Sequence, residues 1–234
     1  MSSVLFGYGR FGRLFVKHFG AELALKVLDK NAAVPAELKV RDYSELREAE
    51  YIFFAVPISG LEPLLMEIQQ YISGSAVLAD VCSVKEYPLE VMKKYFPRNE
   101  IIGTHPLFGP DSTADGLAGR QMVMTPSAQT PAYIQLSSIF RSAGLEIITM
   151  TAEEHDRQMA WTLCLTQFIG RGLGSLPLPR NSIGTRGYFD LLDIVTRSNA
   201  DTMQLYIDMN KYNRFAGEMR ESVIKGLADI HKQL

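Results

Sequence analysis

Hydrophobic positions in the first 150 residues fall into short blocks separated by polar or glycine-bearing stretches, and the blocks alternate between two periods. Residues 4–6, 25–28, 51–56 and 76–79 are nearly continuous apolar runs of strand length, the pattern of strands covered on both faces. Between them Leu14, Phe15 and Phe19, and then Leu61, Leu64, Leu65, Ile68 and Ile72, recur at helical spacing, which predicts helices packed by one face. The same reading predicts a short strand near 38–40, a polar helix from Ser44, and strands at 100–103 and 121–125. A helix near 132–143 and a last strand at 145–150 follow. From Ala152 the strand signal stops and Met159, Trp161, Leu163, Leu165, Phe168 and Ile169 read as helix. Residues 170–185, rich in Gly and Pro, are expected to break it, and 188–195 and 200–234 supply at least two more helices. The chain therefore reads as an α/β domain over 1–150 followed by a small all-helical domain over 151–234.

The first strand ends in Gly7-Tyr8-Gly9-Arg10-Phe11-Gly12 and runs straight into a helix, while the second strand ends in Asp29. A G-x-G-x-x-G string says little alone, but between a strand and a helix, with an acid after the next strand, it predicts a Rossmann-type dinucleotide-binding domain. Gly7 would permit the tight turn, Gly9 the approach of a pyrophosphate and Gly12 close packing of the helix. The amides around Tyr8, Arg10 and Phe11 would face the anion. Asp29 would accept from the ribose hydroxyls, which favours NAD, while Lys30 beside it leaves NADP open. Val56 and Pro57 stand at another strand's carboxyl end, where the backbone would flank the cofactor or simply end the strand.

Two polar clusters interrupt the apolar rhythm. Asp80-Val81-Cys82-Ser83-Val84-Lys85 follows a strand; Ser83 is either a site group or the cap of a following helix, and Lys85 either orients a carboxylate or caps a turn. Residues 102–110, I-G-T-H-P-L-F-G-P, place His105 in what reads as a Gly- and Pro-bounded loop, where a side chain is aimed rather than packed. Charge narrows the partners: a formal net charge of −2 with scattered lysines and arginines offers no footprint for nucleic acid, so a small-molecule substrate is expected. Two cysteines, Cys82 and Cys164, and a start directly on a strand without a signal peptide point to a reducing, cytoplasmic setting. No apolar run is long enough for a membrane partner, and no metal site is expected.

Four segments, residues 7–12, D-V-C-S-V-K at 80–85, G-T-H-P-L-F-G-P-D-S at 103–112 and E-H-D-R-Q-M at 154–159, together resemble the prephenate and arogenate dehydrogenase family in order and spacing. The resemblance implies a dinucleotide-binding domain followed by a helical domain that forms a homodimer. It implies NAD(P)-dependent oxidative decarboxylation of arogenate or prephenate in tyrosine biosynthesis. It makes His105 the acceptor or general base for the substrate 4-hydroxyl, a neutral imidazole near its unperturbed pKa of about 6.5, with Ser83 supporting the same hydroxyl. His155 and Asp156 match the family's E-H-D segment; Asp156 would either meet a substrate ammonium or serve the helix dipole. Two departures concern substrate binding. Gln167 stands where the family frequently has histidine, and residues 189–193 lack the arginine of bacterial prephenate-specific members, so Arg186 or Arg171 would replace it. The strings G-Y-x-x-L-L-D at 187–193 and T-x-x-x-G-R at 166–171 look like plant-type arogenate dehydrogenases. A non-catalytic dinucleotide sensor and a different small-acid dehydrogenase of the same plan are the alternatives. The chain ends soon after its last helix, so feedback by tyrosine through an added domain is not expected.

Overall fold

The computed structural model describes residues 2–179 and 181–234, and the chain divides into two compact units, Met1–His155 and Asp156–Leu234. The first is built on a seven-stranded sheet in the order β2-β1-β3-β4-β5-β6-β7. Strand β1 (Ser3–Phe6) leads to helix α1 (Arg10–Phe19) and β2 (Leu25–Leu28); β3 (Tyr51–Phe54) leads to α2 (Ile58–Ile68); β4 (Val77–Asp80) leads to α3 (Glu86–Tyr95) and β5 (Ile101–Pro106). These five strands are mutually parallel. Strand β6 (Gln121–Pro126) pairs antiparallel with β5, and helix α4 (Pro131–Ser142) returns the chain to β7 (Glu146–Thr149), parallel to β6.

Alternation along the strands sends side chains to two cores. Leu5 and Phe53 face one side with Phe15, Phe19 and Phe140 from α1 and α4. Val4, Phe6, Ile52 and Phe54 face the other with Leu61, Leu65 and Met92 from α2 and α3. Phe15 sits at the centre of the first, its ring 4.9 Å from Phe19 and 5.1 Å from Phe53; truncating such a ring to Ala typically costs about 3–5 kcal/mol. This is the doubly wound α/β plan, and its order reverses between β1 and β3, where such sheets bind ligands beyond the strands' carboxyl ends.

The structure departs from the expected elements in three places. Residues 38–40 form no strand of their own, only a single parallel bridge from Lys39 to Val27, because Pro35 and the polar residues around the segment leave little to pair. The segment carrying His105 is not a loop: β5 continues through Pro106, with His105 opposite Val123 of β6. Residues preceding proline favour extended backbone, and Pro106 at the strand end sacrifices no interior ladder bond. Third, the break expected over 170–185 begins only after Gly174, because the helix continues through Gly170 and Gly172.

The second unit is helical. Helix α5 (Ala152–Met159) crosses the boundary and passes through one π-helical segment, Ala160–Cys164, into α6 (Leu165–Gly174). Helices α7 (Arg186–Ala200), α8 (Met203–Tyr212) and α9 (Ala216–His231) follow. A Cβ at Gly170 would lie 2.3 Å from Ser198 Oγ, so this glycine is the contact point of α6 with α7 and stays in the helix. Among the described residues no helix is long and apolar enough to cross a membrane.

Candidate active site

The turn after β1 is held by backbone alone. Gly7 takes φ +102°, and a Cβ there would lie 2.2 Å from the Ala55 carbonyl oxygen; one at Gly12 would lie 2.1 Å from the Gly7 oxygen. These two glycines let β1, β3 and α1 converge. Gly9 is different, since nothing lies within 4 Å of a Cβ placed on it. The protein's own packing does not require that glycine, whereas a group brought against the backbone would. Gly9 holds the N-cap position of α1, which has no side-chain cap and no acid in its first turn, the arrangement that suits an anion at a helix N-terminus.

Asp29, at the end of β2, is fixed by three amides: Tyr8 donates to Oδ2 at 2.6 Å, and Asn31 and Ala32 each donate to Oδ1 at 2.7 Å. Burial raises its pKa, but those donors and the charge of Arg13 outweigh it, so the carboxyl lies below its usual value. Lys30 turns away to Glu67, which it meets at 2.8 and 2.6 Å. Arg10 is bound to Asp111 at 2.6 Å on the surface. Phe11 packs near Phe108, centroids 6.4 Å apart. Val56 and Pro57 follow β3, with Pro57 capping the start of α2. The structure thus gathers Gly7, Gly9, Gly12, Asp29 and Val56 around the carboxyl ends of β1, β2 and β3.

The polar residues beyond β4 and β5 form a second group. Asp80 and Lys85, both fully buried, make a salt bridge, and Lys85 Nζ also donates to the Thr104 carbonyl at 2.7 Å. Thr104 Oγ1 donates to the Asp80 carbonyl at 2.5 Å, and Asp80 Oδ2 accepts from the Cys82 amide at 2.9 Å. Burial raises the Asp80 carboxyl, with the Lys85 ammonium pulling the other way. Lys85 therefore orients a carboxylate of the protein itself; it is the first residue before α3 but caps it with no side-chain bond. The capping reading of Ser83 is not what the structure shows either, since its buried Oγ has no hydrogen-bond partner.

His105, 6% exposed in β5, has its Nδ1 2.8 Å from Nε2 of His155, which is fully buried on α5. The rings meet edge to face, centroids 5.0 Å apart. Burial, then the neighbouring His155 and the Lys85 charge, drive the His105 pKa well below 6.5, rather than leaving it near that value as the sequence suggested. Burial, then Lys85, push His155 down to about 3. Both imidazoles are neutral near pH 7. Sequence reasoning had placed His155 in a motif without giving it a role; its partner is 50 residues away, and only the presence of two of the four histidines in motif segments hinted at it.

In the helical unit Asp156 is fully buried, and Asn213 donates to its carbonyl at 2.7 Å. Gln167, also buried, donates from Nε2 to Asp201 at 2.8 Å while its Oε1 has no partner. Arg171 donates to the carbonyls of Asp201 and Thr202 and lies over the Tyr206 ring, 5.0 Å from its centroid. Gln167 and Arg171 are thus joined through Asp201. Arg186 opens α7 with an 88% exposed side chain bound to Asp190 at 2.8 Å, one turn on. Cys164 is pushed up to about 12 by burial and then by Asp156, so it carries no thiolate.

Comparison with known proteins fixes the relationship. The family described as prephenate dehydrogenase, nucleotide-binding domain, matches residues 17–149, more than half of the chain. The chain belongs to this family. The glycine turn at 7–12 lies just upstream of the matched stretch, and residues 172–234 match the TYRAAT1-like C-terminal domain. Among relatives, arogenate dehydrogenase 2, chloroplastic, of Arabidopsis thaliana is 30% identical over 172 residues, covering 70% of this chain and 48% of the relative. The T-protein of Enterobacter agglomerans is 30% identical over 212 residues, 87% of this chain and 54% of the relative. The chain spans about half the length of these relatives. Two solved structures share the fold. Synechocystis arogenate dehydrogenase has a TM-score of 0.71 at 21% identity, covering 99% of this chain and 91% of its own. Prephenate dehydrogenase from A. aeolicus, in complex with hydroxyphenyl propionate and NAD+, has 0.75 at 16%, covering 99% and 90%.

Proposed function

We propose that this chain catalyses the oxidative decarboxylation of arogenate to tyrosine, or of prephenate to 4-hydroxyphenylpyruvate, with hydride passed to NAD(P). The observation that carries this reading is His105: a neutral imidazole engaged at Nδ1, beside the sheet edge that carries the glycine turn. Such a group accepts a proton without first having to lose one. Bound NAD(P) would supply the hydride acceptor. His105 Nε2 takes the proton of the 4-hydroxyl as hydride leaves the same ring carbon. The ring carboxylate then departs as carbon dioxide, its electron pair enters the ring, and the phenolate oxygen recovers the proton from His105. Ser83 Oγ, buried and without a protein partner, is assigned to the same hydroxyl.

Gly9, Asp29 and the start of α1 are assigned to the dinucleotide. The attachment of Lys30 to Glu67 and the carboxylate of Asp29 beside the turn favour NAD. Arogenate is the favoured substrate, because residues 189–193 lack the arginine of bacterial prephenate-specific members and lie in the G-Y-x-x-L-L-D string that looks like plant-type arogenate dehydrogenases. We place the enzyme in the cytoplasm as a homodimer.

The test follows reduced cofactor at 340 nm with each substrate and each cofactor; no growth in absorbance with any pairing overturns the reading. His105→Asn is expected to lower kcat by about a hundredfold to ten-thousandfold with cofactor affinity retained. Because burial holds His105 well below 6.5, kcat should stay level on acidification from pH 8 to about 6, where an unperturbed histidine would already lose its acceptor form. A fall centred near 6.5 would contradict that assignment.

A further inference from the structure

We infer that His155 is a positioning residue: by accepting a hydrogen bond from His105 Nδ1 it fixes the imidazole in the tautomer whose Nε2 is an acceptor. This rests on the role proposed for His105. The argument begins with the 2.8 Å contact between His105 Nδ1 and His155 Nε2. Two neutral imidazoles share one proton across such a bond, so only two arrangements exist. In one, His105 Nδ1–H donates, His155 Nε2 accepts, and Nε2 of His105 is left as a base. In the other, His155 donates, and His105 must carry its remaining proton on Nε2, where it is a donor and cannot receive the proton of a hydroxyl. The hydrogen bond made by one ring nitrogen decides what the other can do.

The surroundings hold this arrangement in place. Both rings are buried, His155 completely, and the edge-to-face packing at 75° leaves little freedom of rotation. The charge that acts on both rings is that of Lys85, ahead of α3 and paired with Asp80 on β4. The ammonium opposes a second positive charge, so the pair stays neutral and the shared proton cannot be replaced by an extra one. Without an acceptor at residue 155, His105 would relax toward the Nε2–H form that neutral histidine prefers in water, and its reactive face would change from base to donor.

The experiment uses the full chain labelled with 15N-histidine. It carries only four histidines, His18, His105, His155 and His231, so long-range 1H–15N spectra can be assigned with single substitutions. The expected wild-type result at pH 7.5 is a proton on Nδ1 of His105, with Nε2 unprotonated; a proton on Nε2 overturns the proposal whatever the activity. The first variant, His155→Leu, removes the acceptor and should move the His105 proton to Nε2. It should also lower kcat by roughly tenfold to a hundredfold, the range typical of lost outer partners of a working histidine, with KM for NAD(P) unchanged. His155→Gln offers an oxygen near the position of Nε2 and should recover most of that loss. Equal kcat in wild type and His155→Leu, or equal losses in both variants, overturns the positioning role. If the leucine variant does not fold, the wild-type spectrum and the glutamine variant still decide. Absence of turnover in wild type with both substrates would remove the proposed reaction, while the spectrum would separately report the tautomer.

Discussion

Gly7 and Gly9 stand two residues apart in the same turn under different constraints. At Gly7 any L residue would be forced into positive φ and would drive its Cβ to 2.2 Å from the Ala55 oxygen, where only backbone movement could relieve it. At Gly9 the backbone lies at φ −69° and a Cβ meets nothing. Gly7→Ala should therefore destabilise the first unit by a few kcal/mol, the order expected when strain and a backbone clash combine. Gly9→Ala should change stability by less than about 1 kcal/mol yet weaken NAD binding at least tenfold, since the added methyl points where the dinucleotide is assigned. Urea denaturation and fluorescence titration of NADH measure the two effects. A Gly9→Ala protein that binds cofactor as tightly as wild type would refute the assignment of Gly9. This turn was legible in the sequence because its glycines stand in one short string between an apolar strand and a helix. His155 was not, because its significance comes from a contact across 50 positions.

At the level of elements, the lesson of β5 is the weight of non-local pairing. Gly103 and Pro106 punctuate the segment as a loop would, but β6 supplies an antiparallel partner twenty residues later and keeps it extended. That pairing aligns His105 against α5 and places Thr104 beside the Asp80–Lys85 pair. The strands at 4–6 and 51–54 were readable because each is apolar throughout, and 25–28 because only Lys26 interrupts it, whereas β5 mixes Thr and His into a fully buried strand. The buried pair ties β4, the start of α3 and β5 together through Lys85. Breaking one side of such a pair typically costs about 3–5 kcal/mol because the other charge is left without compensation. Asp80→Asn should lower stability by that order, and Asp80→Asn with Lys85→Met should cost less than Asp80→Asn alone. Urea midpoints of the two proteins check this; a double variant less stable than the single one would show that the pair is not what joins these elements.

On the scale of the whole molecule, the helical unit carries large apolar side chains exposed on two of its helices. On α9, Ile224, Leu227 and Ile230 are 57%, 63% and 60% exposed at a spacing of three, so they share one face of the helix. Met203 and Ile207 on α8 are exposed as well. Exposed apolar side chains along a helix face suit an interface, and the proposed homodimer gives them a partner of matching chemistry, a second copy of the same face. Light scattering behind a sizing column should then give twice the chain mass of 26.2 kDa. Leu227→Glu places a carboxylate in the middle of the stripe, where pairing would bury it beside its own symmetry mate. Burying an unpaired charge is costly, so the variant should run as a monomer at micromolar concentration. Because Leu227 makes its contribution on an exposed face, the urea midpoint of the first unit should not move. A wild-type protein that scatters as a single chain, or a Leu227→Glu protein that remains a dimer, would exclude this face as the interface.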